Sequence, residues 1–368
     1  MRSYPGAADI SAVREVLETA ERPLAILGGA GWTAEATRAL TPFLEENAIP
    51  AGAAFRRQDT LDNDSPSYAG DIGIAVNPAL AARVKEADVV LAVGSRLDEM
   101  TTSGYTLLEP PTPRQRLVHV HPDPEELGRV YQATVPVLAG PEEFAAGVRD
   151  LRVEPRWRAW TEAARADYED WQVPGPLPGA LDLGECIAHL RRRLPDATVT
   201  NGAGNFTVWV HRFWRWHAYG TQLAPTSGAM GYGLPAALAA KSVDPGRTVV
   251  CFAGDGDFLM SGQELATARQ YDLPVLVVLV DNGMFGTIRM RQERMFPGRV
   301  VGTDLVNPDF AAFARSFGVF GENVERTEDF PAALERALRA GTAAVLALRL
   351  DPEAIAPRTT LSALRAGG

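Results

Sequence analysis

Short apolar runs alternate along this chain with longer stretches in which apolar residues recur at helical spacing. Pro23-Leu24-Ala25-Ile26-Leu27 predicts a strand that enters Gly28-Gly29-Ala30-Gly31 and then a helix from Ala34 to Asn47. Ala87 to Gly94 and Arg116 to His121 predict two more strands. Strands alternating with helical stretches point to a parallel sheet covered on both faces, and this first unit spans residues 1–151. The pattern then breaks over residues 152–180, where a charged helix from Trp157 to Trp171 gives way to Val173-Pro174-Gly175-Pro176-Leu177-Pro178-Gly179, an extended linker by composition. A second unit occupies 181–368. It opens with a helix from Leu183 to Arg193 and a strand at Thr198-Val199-Thr200, and closes with a strand from Ala343 to Leu350. The expected fold class is α/β, with two doubly wound parallel-sheet domains, the first Rossmann-like. No internal repeat of 20 to 50 residues, the range typical of solenoid units, is visible.

The second unit carries the most informative local pattern. Val249 to Ala253 predicts a buried strand, Ser261 to Tyr271 a helix and Val275 to Val280 the next strand, a single βαβ crossover. Such crossovers are right-handed and leave the two strands parallel. Asp255, in Gly254-Asp255-Gly256, and Asn282, 27 residues further on, therefore leave neighbouring strand ends on the edge where open α/β sheets bind ligands. A carboxylate and an amide oxygen without histidine or thiolate suit Mg²⁺, which commonly completes its shell with phosphates, water and a carbonyl. Ser261-Gly262-Gln263-Glu264 reads as a capping box, whose helix start would favour an anion. A diphosphate bridged by Mg²⁺ fits both halves. The glycines of Gly283-Met284-Phe285-Gly286 permit close backbone approach. Taken alone, a Gly-Asp-Gly is most often a turn; the joint spacing is what points to a site.

The run from Gly254 to Gly286 resembles the signature of thiamin diphosphate-dependent enzymes, and Gly220-Thr221-Gln222-Leu223-Ala224-Pro225-Thr226-Ser227-Gly228-Ala229-Met230-Gly231-Tyr232-Gly233-Leu234-Pro235 looks like their acetolactate synthase branch. The resemblance covers the middle domain and the C-terminal thiamin diphosphate-binding domain. It implies that Asp255, Asn282 and the Met284 carbonyl hold Mg²⁺. It places Gly254, Gly256 and Asp257 in the diphosphate loop, and Gly283, Met284, Phe285 and Gly286 in the second cofactor loop. Backbone at Gly228 and Met230 would meet the aminopyrimidine, with the Met230 side chain as the wedge that bends the cofactor. Phe285 stands where a tyrosine is common in the family, keeping an apolar wall without its hydroxyl. The implied activity is decarboxylation and carboligation of a small 2-keto acid, as in pyruvate to acetolactate.

Two further motifs invite other chemistry. Gly29-Ala30-Gly31-Trp32-Thr33-Ala34 matches Gly-x-Gly-x-x-Ala between a strand and a helix, the dinucleotide pattern. The acid that would hold a ribose about 20 residues on is missing from Ala48-Ile49-Pro50-Ala51-Gly52, which argues against nicotinamide. The resembled family leaves FAD open in this middle domain, and an FAD- or NAD-binding oxidoreductase stands as one alternative. Trp209 to His217 interleaves aromatic and basic residues as single-strand nucleic-acid platforms do, but a helix half-buried at a neighbouring domain or subunit accounts for it better.

Net charge of −10 argues against nucleic acid and anionic membrane as partners. No apolar stretch of about 20 residues and no signal-peptide core is present, so the expected location is cytoplasmic. Cys186 and Cys251 read as buried free thiols, and His119 and His121 as a strand end rather than a ligand pair.

Met1 falls where the family's middle domain would begin. The glutamate that activates the cofactor belongs to an N-terminal pyrimidine-binding domain, so no catalytic residue is assigned here. The expectation is a homo-oligomer, or a complex with a chain that carries that domain, and a polypeptide that alone binds Mg²⁺-thiamin diphosphate weakly. A non-catalytic or regulatory cofactor-binding subunit is the other alternative.

Overall fold

The computed structural model describes residues 2–366. They form two compact units, one running to Gln172 and including Arg215–Gly220, the other comprising Val173–Trp214 and the chain from Thr221 onward.

The first unit holds strands β1 (Pro23–Leu27), β2 (Ala51–Ala54), β3 (Tyr68–Ile72), β4 (Val89–Val93), β5 (Arg116–His121) and β6 (Val135–Leu138), with helices α1 (Ala7–Glu18), α2 (Ala34–Glu46), α3 (Pro78–Glu86), α4 (Pro141–Val148) and α5 (Arg158–Trp171). The strands form one parallel sheet in the order β3-β2-β1-β4-β5-β6. Because side chains alternate across a strand, Ala25, Leu27, Val89, Leu91 and Val93 enter one core layer, while Leu24, Ile26, Val90 and Ala92 enter the other. Both faces are thus apolar, as a parallel sheet requires. Strand β2 is built of alanine and glycine because its neighbour leaves no room: a Cβ at Gly52 would lie 2.5 Å from Ile72 Cδ1. Helix α5 packs into this unit, with Tyr168 edge-on to Tyr68 at 5.0 Å and Asp167 accepting from Arg83 Nε at 2.8 Å.

The second unit repeats the architecture with β7 (Thr198–Asn201), β8 (Gln222–Leu223), β9 (Val249–Gly254), β10 (Leu276–Asp281), β11 (Phe320–Val324) and β12 (Ala344–Arg349) in the parallel order β11-β12-β10-β9-β7-β8. Its helices are α6 (Leu183–Arg193), α7 (Phe206–Phe213), α8 (Gly233–Val243), α9 (Asp255–Phe258), α10 (Leu265–Gln270), α11 (Gly286–Met295), α12 (Phe310–Ser316), α13 (Phe330–Arg339) and α14 (Leu361–Ala366), with a small hairpin of β13 (Ala354–Ala356) and β14 (Thr359–Thr360). Cys251, Ala253, Val277, Leu279 and Val345 line one core layer; on the other face Phe252 meets Trp214 edge-on at 6.2 Å.

Three expectations change. The helix expected from Ser261 to Tyr271 is broken: α9 starts directly at Asp255, a 3₁₀ turn spans Gly262–Glu264, and α10 follows. The Ser261 capping box does not form; Ser261 makes no side-chain cap, and Glu264 instead accepts from the Thr267 hydroxyl at 2.6 Å. Phe258 packs over Gly262, where an added Cβ would lie 2.8 Å from its ring. The aromatic and basic run is buried more deeply than a half-buried helix, with Trp209 and Trp214 each 1% exposed. His119 does lie near a strand end, its Nε2 2.9 Å from the Ser95 carbonyl, and both cysteines are buried and free. Among the described residues no helix is long and apolar enough to cross a membrane.

Candidate functional site

Strands β9 and β10 pair in parallel with Gly254 opposite Val280, so the residues that leave them meet at one edge of the sheet. Asp255 is 4% exposed. Its Oδ1 accepts from the Gly256 amide at 2.8 Å, and its Oδ2 accepts from the Gly283 amide and from Asn307 Nδ2, both at 2.8 Å. All three donors are neutral. Burial pushes the Asp255 carboxyl above its usual range, and the charge of Asp281 adds to the rise, while these hydrogen bonds pull the other way. Asp281 differs in having a cation of its own, Arg349 at 3.1 Å.

Asn282 follows β10, with its Oδ1 accepting from the Met284 amide at 3.3 Å. The loop that carries it is clamped. Phe285 N donates to Thr303 O at 2.9 Å, Leu305 N donates to Gly283 O at 2.8 Å, and Met284 bridges Asp304. Gly283 takes φ +68°, a conformation that glycine adopts without steric cost. Phe285 then lies over α9 so closely that a Cβ at Gly256 would be 2.4 Å from its ring.

Asp257 has a different task. At 3% exposure its Oδ1 accepts from Gly231 N at 2.7 Å and Ala203 N at 3.2 Å, tying the loop after β7 and the Gly228–Gly231 turn to α9. A carboxylate facing these amides braces the loops around the site; it is not itself presented to an anion.

These elements surround a half-open pocket in the second unit. Met230, Gly254, Asp255, Gly256, Asp257, Asn282, Met284, Phe285 and Gly286 all line it, with Phe206, Trp209, Ile288 and Ile355 forming an apolar wall. Gly283 does not line it but backs it through its N–H on Asp255, and Gly228 stands exposed on its turn, outside the lining. The donor set is of hard oxygens around a buried carboxylate that no side-chain cation neutralises, which fits a small divalent ion.

Sequence reasoning missed Asn307, Asp281 and the loop Gly202-Ala203-Gly204-Asn205. Asn205 donates from Nδ2 to Ile355 O at 3.0 Å and accepts from the Thr287 hydroxyl at 2.8 Å, closing the far side of the cavity. That loop carried a legible signal: two glycines directly after a strand, on the same edge of the sheet. Asn307 carried none, lying 52 residues from the carboxylate it holds.

The glycine turn of the first unit is filled by protein. Trp32 Nε1 donates to Gly28 O at 2.8 Å and Arg57 Nε donates to Gly29 O at 3.0 Å; a Cβ at Gly29 would be 1.8 Å from Gly94 O. At the start of α2 the Thr33 hydroxyl donates to the Glu142 carboxylate at 2.8 Å. A pyrophosphate at this helix start would meet an acid where it needs a donor, so the residues present do not fit a dinucleotide there.

Comparison with known proteins adds two family matches. Residues 202–348 match the thiamine pyrophosphate enzyme C-terminal TPP binding domain, and residues 10–148 match the thiamine pyrophosphate enzyme central domain. The chain is 34% identical over 340 residues to the acetolactate synthase large subunit of Parasynechococcus marenigrum, covering 89% of this chain and 54% of that protein. It is 30% identical over 348 residues to the acetolactate synthase isozyme 2 large subunit of Escherichia coli, covering 94% and 62%. A probable acetolactate synthase large subunit of Methanocaldococcus jannaschii is 26% identical over 363 residues, covering 95% and 61%. The chain thus spans between about half and three fifths of the length of these relatives.

Proposed function

Because the chain belongs to the thiamine pyrophosphate enzymes, through their central and C-terminal TPP binding domains, we propose that its second-unit cavity holds Mg²⁺-thiamin diphosphate and serves acetolactate synthase-type chemistry on a 2-keto acid. The observation that carries this reading is the buried Asp255 carboxylate, held by neutral donors only and sharing its cavity with Asn282 at the next strand tip.

In this account Asp255, Asn282 and the Met284 carbonyl hold the ion. The start of α9 at Gly256 would lie against the diphosphate, and Met230 would support the ring system from its own loop. Asp257 keeps the two flanking loops in place from behind. When bound, the cofactor supplies a nucleophilic carbon and an electron sink for loss of carbon dioxide. Phe206, Trp209, Phe285 and Ile355 would give the bound cofactor an apolar surround, in which electrostatic contacts are stronger than in water. The substrate is a small 2-keto acid such as pyruvate. Turnover is assigned to a complex with a pyrimidine-binding domain, supplied by another chain or by sequence outside these 368 residues.

Calorimetric titration with thiamin diphosphate tests the reading. Binding should require Mg²⁺, vanish with chelator, and fall in Asp255→Ala by more than the roughly 10–100-fold that outer-shell partners of a metal carry. Binding that survives both chelation and Asp255→Ala would remove the proposal.

A further inference from the structure

Asn307 occupies an unusual position. Its single side-chain nitrogen lies 2.8 Å from Asp255 Oδ2 and 2.8 Å from Asp281 Oδ1, so one neutral amide bridges two carboxylates at adjacent strand tips. Its own Oδ1 is buried without a partner. The reverse orientation would satisfy that oxygen no better and would press it against two acids, so the carboxylates determine which way the amide faces. The segment is anchored on both sides. Leu305 N bonds Gly283 O at 2.8 Å, and Asp309 caps α12 by accepting from Ala312 N at 3.0 Å.

The two oxygens of Asp255 are consequently unequal. Oδ2 accepts two hydrogen bonds, from Gly283 N and Asn307 Nδ2, whereas Oδ1 accepts one, from Gly256 N. A carboxylate offers about two acceptor directions per oxygen. Oδ2 is filled and Oδ1 keeps one direction open.

We propose that Asn307 is a positioning residue that selects Oδ1 of Asp255 as the metal-facing oxygen, holding the carboxylate to one-oxygen coordination. This inference rests on the reading of Asp255 as a Mg²⁺ ligand. One-oxygen coordination suits Mg²⁺, which demands near-octahedral geometry, whereas Ca²⁺ readily takes both oxygens of a carboxylate. Asn307 therefore acts on ion choice as well as on affinity, without touching the ion.

The test measures the Mg²⁺ and the Ca²⁺ concentrations that give half-maximal thiamin diphosphate binding, in the wild type, Asn307→Leu and Asn307→Ala. Both variants remove the donor, one at similar volume and one with little bulk, so that failure of either to fold leaves the other as the probe. The expected result is a 10–100-fold rise in the Mg²⁺ midpoint, as for other outer-shell partners, with a smaller rise or a fall for Ca²⁺. Mg²⁺ and Ca²⁺ midpoints that stay put, or that rise by the same factor, would mark Asn307 as merely structural and overturn the inference. Wild-type binding that ignores divalent ions would instead overturn the reading of Asp255 itself.

Discussion

Replacing Gly202 with alanine should disturb the site without touching any residue proposed to meet the cofactor. Gly202 has no positive φ, so the substitution carries no backbone strain of that kind. The obstacle is steric: an added Cβ would sit 2.1 Å from both oxygens of Asp257 and 2.3 Å from its Cγ. The carboxylate must leave, taking with it the hydrogen bonds to Gly231 N at 2.7 Å and Ala203 N at 3.2 Å. Hydrogen bonds to charged groups contribute about 1.5–3 kcal/mol each, so full loss of both would cost about 3–6 kcal/mol. Small backbone adjustments reduce this, and about 2–4 kcal/mol is the expected local effect. With two folding units, a single global unfolding energy is not well defined. Amide hydrogen exchange at Ala203 and Gly231 therefore reports the change where it occurs. A double-mutant cycle sharpens the test: in an Asp257→Ala background nothing remains to evict, and Gly202→Ala should be neutral or gain about 0.4–1 kcal/mol by restricting the unfolded chain. Unchanged exchange at Gly231 in the single variant, or a full cost persisting in the double variant, would refute the reasoning.

Two other outcomes follow from buried ionisable groups. Glu293 is held down to about 2, first by the hydrogen bond from Arg365 and then by the Gly298 amide, with Arg289 adding to both against the effect of burial. Its folded value lies below the usual one of about 4.3, so its contribution is complete above that pH and is lost as pH falls toward about 2. Exchange protection of α14, which Arg365 tethers to α11, should fall across that window, and Glu293→Gln should lower it already at neutral pH; flat protection throughout would contradict the tether. Burial pushes the Cys251 thiol up to about 12 and raises Cys186 as well. Neither should react with a disulfide reagent at about pH 8 until the chain unfolds, since only the thiolate attacks; prompt modification of the native protein would show the burial to be misassigned.

The strands that the sequence made legible are those whose burial is expressed in branched side chains. Val249-Val250-Cys251-Phe252-Ala253 and Leu276 to Val280 could be little else, and their junction located Asp255 and Asn282. Strand β2 was invisible because Ala51-Gly52-Ala53-Ala54 has little β propensity of its own; contact with Ile72 demands small residues, and parallel pairing with β1 makes them a strand. The Ser261-x-x-Glu264 pattern misled because Glu264 accepts from the Thr267 hydroxyl, within its own turn, and does not reach back to Ser261. The place of Asp257 beside the pocket was legible from its position after β9, but its orientation toward Ala203 and Gly231 was not, since those partners lie 54 and 26 residues away. Asn307 belongs to the same class, as its amide gains meaning only where two strand tips meet.

The most direct measurement replaces Mg²⁺ with Mn²⁺ in a crystal of the protein grown with thiamin diphosphate and locates the ion by its anomalous scattering. The account predicts a single strong peak in the second-unit cavity, within about 2.0–2.3 Å of an Asp255 carboxylate oxygen and the Asn282 amide oxygen, allowing slightly longer bonds than for Mg²⁺. An ion bound elsewhere, or a cofactor held in that cavity with Asp255 still closed on its neighbouring amides and no metal beside it, would contradict it.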